Sequence, residues 1–154
     1  MKTSFLEVFI SIVGAVISGV LVRFLGEIWK ERYLDPIHSF KLLRGRIEAA
    51  LVFYKNKYTV LVDKIFFTDN DRKIYYDMSS ELRALASELA SAPSVMPKSR
   101  QKLPSDEKIL EASKQLIGLS NNVPCVAGEG VNMSQENRKH EEEIRKLLGI
   151  TNKK

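Results

Sequence analysis

Cysteine and histidine are almost absent from this chain. Cys125 is the only cysteine in 154 residues, and His38 and His140 are the only histidines. A single cysteine excludes an intramolecular disulfide framework, and it does not supply the ligand spacing of a zinc site. There is also no HExxH motif, paired-carboxylate spacing or phosphate-binding glycine loop. The sequence therefore predicts no metal, no cofactor and no enzyme.

Long apolar runs are absent except near the N-terminus. From Phe5 to Leu25 the chain reads FLEVFISIVGAVISGVLVRFL, and its two charged residues, Glu7 and Arg23, lie near the ends. A helix of this length, at ~1.5 Å per residue, spans the hydrocarbon layer of a bilayer. A cleaved signal peptide would need a small-residue cleavage site after the run, and an interfacial helix would need a fully charged face. We predict a transmembrane helix with a short stalk over residues 1–34.

Basic residues are concentrated just after this run, and the chain carries a net charge of +5. Only Lys2 precedes the run. Because basic flanks favour the cytoplasmic side, the sequence predicts a single-pass protein of the inner (cell) membrane with its C-terminal domain in the cytoplasm. The residues predicted to face anionic membrane lipid are Arg23, Lys30, Arg44 and Arg46.

Small residues recur on one side of the predicted span. Ser11, Ala15 and Gly19 follow each other at intervals of four, and Gly14 and Ser18 form a second pair. Small residues at this spacing let helices approach closely in lipid, which favours a homo-oligomer, although such residues are common in membrane helices generally. Several copies turned inward would present a polar stripe headed by carboxylates, as cation pathways do. The predicted pore or oligomer face is Glu7, Ser11, Gly14, Ala15, Ser18 and Gly19.

The rest of the chain, residues 35–154, shows helical periodicity and predicts an all-α fold, a cytoplasmic four-helix bundle. Asp35 and Pro36 are predicted to end the membrane helix and to start the first bundle helix, which would run to about Phe66. The second helix is expected to end near Ala92. The predicted core side of the third helix includes Ile109, Leu110, Ala112, Leu116 and Ile117. The remaining predicted caps and stops are Thr68 to Asp71, Ser105, Ser134 and Gly149.

Arg32 and His38 lie six residues apart at the membrane-proximal end of the bundle. This spacing is similar to the Arg-x(4–6)-His motif of helical HEPN ribonucleases, in which the two side chains act on an RNA phosphodiester. The pair is a possible degenerate HEPN-like motif. The alternative interpretation is a basic interfacial residue followed by a histidine at a helix start.

Three stretches, FKLLRGRIEAALVFY, ELRALASELA and EASKQLIGLSNN, resemble sequences of small single-span bacterial membrane proteins with a cytosolic helical domain. The layout resembles that of the CRISPR-associated membrane accessory protein, which joins one span to a HEPN-like bundle and assembles as a pore. The resemblance implies an oligomeric inner-membrane effector of antiviral defence. A membrane-tethered adaptor that binds a soluble partner is the alternative, and a membrane-bound ribonuclease is the third. Expected partners are membrane lipid, further copies of the chain, and a protein, RNA or nucleotide trigger.

Overall fold

A computed structural model describes the backbone of residues 5–59, 68–98, 103–122 and 130–150, and the side chains from residues 9 and 133 onward in the first and last of these ranges. The described residues are helical and contain no strand, as the sequence predicts. The elements are α1 (Phe5–Trp29), a π-helical turn (Lys30–Leu34), α2 (Asp35–Thr59), α3 (Asp69–Val95), α4 (Asp106–Asn121) and α5 (Gly130–Leu148).

Helices α2 to α5 form a four-helix bundle in which each helix packs against the next and α5 returns to α2. The clearest packing pattern is in α3, where the buried residues alternate in steps of three and four, which keeps one stripe of the helix toward its neighbours. These residues are Tyr75, Met78, Leu82, Leu85, Leu89, Ala92 and Met96. α2 contributes a similar stripe from Phe40 to Tyr58.

Local capping signals define several helix ends, as predicted. Thr68 accepts a hydrogen bond from the Asp71 amide through its hydroxyl, and its own amide donates to the Asp71 carboxylate at 3.0 Å, which forms a capping box at the start of α3. The Thr68 hydroxyl also donates to the Asp71 carboxylate at 2.6 Å, and this bond, together with that from the Thr68 amide, lowers the pKa of Asp71. Ser105 caps α4 through the Lys108 amide. Gly149, at φ 65°, ends α5, and the Ile150 amide donates to the Arg145 carbonyl at 2.8 Å as in a Schellman motif.

The predicted start of the last helix is wrong. α5 begins at Gly130, and Ser134 lies inside it with its hydroxyl donating to the Thr59 carbonyl at 2.7 Å. Asn137 donates to the Tyr58 carbonyl at 2.9 Å. Both side chains therefore donate to carbonyls at the last described residues of α2 and link it to α5.

The predicted core side of α4 needs a correction as well. Leu110 and Ile117 are exposed, whereas Ser113 and Ser120 are buried. The Ser113 hydroxyl donates to the Ala86 carbonyl at 2.9 Å, and Ser79 donates to the Ser120 carbonyl at the same distance. Small hydroxyl side chains thus join α3 to α4 by hydrogen bonds, so their polar atoms remain bonded at the contact between these helices.

The largest difference from expectation is at Asp35 and Pro36. Asp35 has helical dihedral angles, φ −65° and ψ −42°, so it is not a non-helical N-cap, and the helix does not end there. A single helix runs on without a break through the π turn to Thr59. The predicted extension of α2 to Phe66 falls on residues 60–67, outside the described part of the chain.

Candidate functional site

The described part of α1 is apolar, and no other described helix of the bundle packs against it. Every described side chain from Phe9 to Asp35 is exposed, including Ile17 at 54% and Val22 at 69%. This is the one described helix that is long and apolar enough to cross a membrane. Exposed apolar area on this scale is unfavourable in water by about 25 cal/mol per Å², so α1 is a candidate membrane span by length and composition.

The predicted small-residue face lies on this exposed helix. Ser11, Gly14, Ala15, Ser18 and Gly19 are all exposed. A Cβ atom added at Gly14 or Gly19 would have no neighbour within 4 Å, so nothing among the described residues covers the face. The side chain of Glu7, predicted to head the same face, lies outside the described residues.

The π turn connects this helix to the bundle. The Asp35 amide donates to the Lys30 carbonyl, five residues earlier, in place of the usual four. Pro36 has no amide hydrogen, and in an α-helix its ring would crowd the Arg32 carbonyl. A wider turn relieves that crowding without ending the helix. The rings of Trp29 and Tyr33 stack along the turn with centroids 5.9 Å apart.

A hollow of about 400 Å³ lies between the π turn and the end of α3. The π turn contributes Arg32 and Tyr33. The lining from the end of α3 and the residues after it comprises Ser94, Val95, Met96, Pro97 and Lys98. Sequence reasoning did not identify this site, because Arg32 and Lys98 are far apart in the chain and only the fold brings them to one hollow.

Arg32 and His38 are both exposed, but only Arg32 lines the hollow. A separation of six residues is well over one and a half helical turns, so their side chains leave the helix on different sides. The proposed nuclease motif stays a prediction.

The four predicted lipid-facing basic residues have different surroundings. Arg23 donates to the Glu27 carboxylate at 3.2 Å on the surface of α1, and Lys30 is exposed in the π turn. Arg44 is half-buried and donates to the Leu148 carbonyl at 3.4 Å. Arg46 donates to the Glu88 carboxylate at 2.8 Å and so links α2 to α3. Arg44 and Arg46 therefore have partners within the bundle.

A second polar cluster lies at the far end of the bundle. Glu141 on α5 is buried, accepts a hydrogen bond from Arg145 Nε at 2.9 Å, and lies 3.7 Å from Lys55 Nζ on α2. The buried Tyr58 hydroxyl donates to the Leu51 carbonyl at 2.8 Å. Burial is the main cause that raises the pKa of Tyr58, and the nearby Glu141 charge raises it further. The spacing of Glu141 and Arg145, four residues, was a sequence signal for this pair.

These charges border another hollow of about 400 Å³, which is lined by Lys55, Thr59, Arg138, Glu141, Glu142 and Arg145. Across the described residues, no three histidine, cysteine, aspartate or glutamate side chains converge as a metal site would require. His140 instead lies with Nδ1 2.6 Å from Gln115 Oε1, on the face where α4 meets α5. Cys125 falls outside the described part of the chain.

The substitution Glu141→Gln should destabilise the bundle by about 3 kcal/mol, because it leaves the Arg145 guanidinium buried without a balancing charge. Glu143→Gln is the matched control on the same helix, since Glu143 pairs with Lys146 at the surface. That change should cost less than about 1 kcal/mol. Denaturant unfolding in detergent, followed by circular dichroism, measures both. Equal losses would show that the buried pair does not stabilise the bundle.

Comparison with known proteins identifies no relative of this chain. No protein-family model, no curated protein and no solved structure is significantly similar to the chain. A function proposed for this chain therefore rests on its fold and on the surroundings of its described residues.

Proposed function

We propose that α1 crosses the inner membrane once and holds the four-helix bundle at the cytoplasmic face, where the protein acts as an oligomeric membrane effector. The observation that carries this proposal is the contrast along one continuous helix: α2 buries a stripe of side chains in the bundle, whereas α1 buries none. A bilayer supplies the apolar surroundings that α1 lacks.

The proposed orientation follows from charge. Arg23, Lys30 and Arg32 lie at the bundle end of α1, and Lys2 is the basic residue found in the sequence at its other end. Basic residues near the end of a span are retained in the cytoplasm. Trp29 and Tyr33 belong to the same end, where aromatic side chains favour the membrane interface.

The proposed assembly uses the small-residue face. Gly14 and Gly19 offer backbone surface that no other part of the described chain covers, so a second α1 helix can approach it closely. In the effector proposal, several copies of α1 place Ser11, Gly14 and Ser18 toward the centre of the oligomer, beneath a ring of Glu7 carboxylates. This assembly forms a pore or perturbs the membrane. The antiviral role rests on the resemblance described above.

The rigid connection between bundle and span supports an effector that responds to a trigger. Because α1 and α2 share one helix, a rearrangement in the bundle that tilts α2 also moves α1. Membrane effectors controlled from the cytoplasm require such coupling between two elements.

A membrane-tethered adaptor is the second candidate, and a separate observation favours it. The outer face of α2 carries exposed apolar residues at helical spacing: Leu42, Ala49, Val52 and Phe53, the last 78% exposed. Exposed apolar stripes of this kind are typical of surfaces that bind another protein. In this proposal, α1 serves only as an anchor.

Insertion of α1 can be tested with the natural fluorescence of Trp29, the only tryptophan. In vesicles of brominated phospholipid, bromine near the head groups should quench Trp29 more strongly than bromine at the chain ends, because Trp29 lies at the end of the proposed span. A Trp29→Phe, Val16→Trp variant places the reporter near the middle of α1 and should reverse that order. Absence of quenching in both proteins would rule out the span.

Assembly can be tested with Gly19→Leu. A leucine on the small-residue face should separate the helix backbones and weaken association about tenfold, without preventing insertion. Val13→Leu is the control, because it adds bulk on the opposite side of α1. Light scattering in detergent measures the oligomer. A monomeric wild-type chain would contradict the effector proposal and favour the adaptor, and full assembly of Gly19→Leu would place the contacts in the bundle.

A further inference from the structure

The hollow between the π turn and the end of α3 has an unusual charge balance. Its two charged lining residues, Arg32 and Lys98, are both cationic. Within the described part of the chain, neither forms an ion pair. The closest acidic residues in sequence, Glu31 and Asp35, are not among the lining residues. The site therefore attracts an anion.

The position of the hollow along the helix narrows the choice of anion. Arg32 lies seven residues beyond Leu25, the end of the apolar run, which corresponds to roughly 10 Å along the helix axis. Side chains on a helix lean toward its N-terminus, so the Arg32 side chain reaches back toward the apolar segment. With α1 in a bilayer, the guanidinium lies at the depth of the lipid head groups.

We propose that this hollow binds the phosphate group of an anionic phospholipid from the membrane that α1 crosses; this inference rests on the proposed membrane insertion. The chemistry required is that of any phosphate, but the location selects the lipid as its source. The Arg32 guanidinium can donate two parallel hydrogen bonds to phosphate oxygens. Lys98 adds a point charge and also offsets the partial negative charge at the C-terminal end of α3.

The apolar part of the lining fits a lipid better than a free ion. Val95, which is 66% exposed, and Pro97 both line the hollow. These side chains can contact the glycerol and the first methylene groups of a lipid whose phosphate is held by Arg32. Tyr33 adds a hydroxyl and an aromatic face at the same level. A bound lipid would thus link the π turn to α3.

The test uses the full chain in a non-ionic detergent, with phosphatidylglycerol titrated in and Trp29 fluorescence as the signal. Trp29 stacks on Tyr33, which lines the hollow, so binding should change its emission. Arg32→Gln and Lys98→Gln should each raise the Kd for phosphatidylglycerol about tenfold, since each removes a charge-assisted contact. Arg32→Lys, which keeps the charge but loses the paired donors, should fall between. Phosphatidylcholine should bind much more weakly to every form.

Lys41→Gln is the matched control, because it removes one exposed positive charge from α2 at a residue that does not line the hollow. Its Kd should stay within about twofold of wild type. An equal loss in this variant, or equal binding of both lipids, would overturn the site. If inorganic phosphate alone binds as tightly as phosphatidylglycerol, the ligand is a free phosphate and the lipid assignment is wrong. Quenching of Trp29 by brominated lipid would still report insertion, so failure of the lipid site is distinguishable from failure of the proposed span.

Discussion

The hydrogen bond from the Asp35 amide to the Lys30 carbonyl continues the helix from α1 into α2, and the arrangement of the other features depends on this continuity. Pro36 removes a donor and crowds the preceding turn, which ends most helices. Here the helix widens for one turn and continues, so the exposed apolar segment and the first helix of the bundle belong to one uninterrupted helix. The charged and aromatic residues at the junction, including Arg32 and Tyr33, are therefore held in fixed relation to the end of α3.

The two ends of this helix differ in whether their apolar side chains are buried or exposed. α2 buries residues such as Phe40, Ile47 and Leu51 and packs against α3 and α5, and its last described carbonyls receive hydrogen bonds from Ser134 and Asn137 on α5. Other residues of the bundle therefore cover the apolar side chains of α2 and donate hydrogen bonds to its last described carbonyls. The apolar side chains of α1 are exposed within the described part of the chain, which is unfavourable in water. The proposed membrane span would bury the apolar side chains of α1, as the bundle buries those of α2.

Sequence reasoning predicted the features whose causes are local. The capping box at Thr68, the cap at Ser105 and the glycine stop at Gly149 each depend on residues within one turn. It was wrong at Ser134, whose hydroxyl binds a carbonyl 75 residues away, because the same residue type serves equally well as a local cap. It was wrong at Pro36 because a π turn has no composition signal of its own. Leu110 and Ile117 were assigned to the core on hydrophobicity, but both are exposed, and Ser113 is buried because its hydroxyl donates to the Ala86 carbonyl on α3. The hollow at Arg32 and Lys98 depends on tertiary packing and has no counterpart in the local sequence.

The central claim is that the candidate span and the first bundle helix are one continuous helix. Spin labels on cysteines introduced at Gly26 and Asn56, both exposed, test it directly in a chain whose native cysteine is replaced by Cys125→Ser. Thirty residues of uninterrupted helix separate the labelled backbone positions by about 45 Å. Pulsed electron–electron double resonance in lipid nanodiscs should give one narrow distribution centred near that value. A broad distribution centred below about 35 Å would show that the chain bends at Asp35 and Pro36, and would contradict the account.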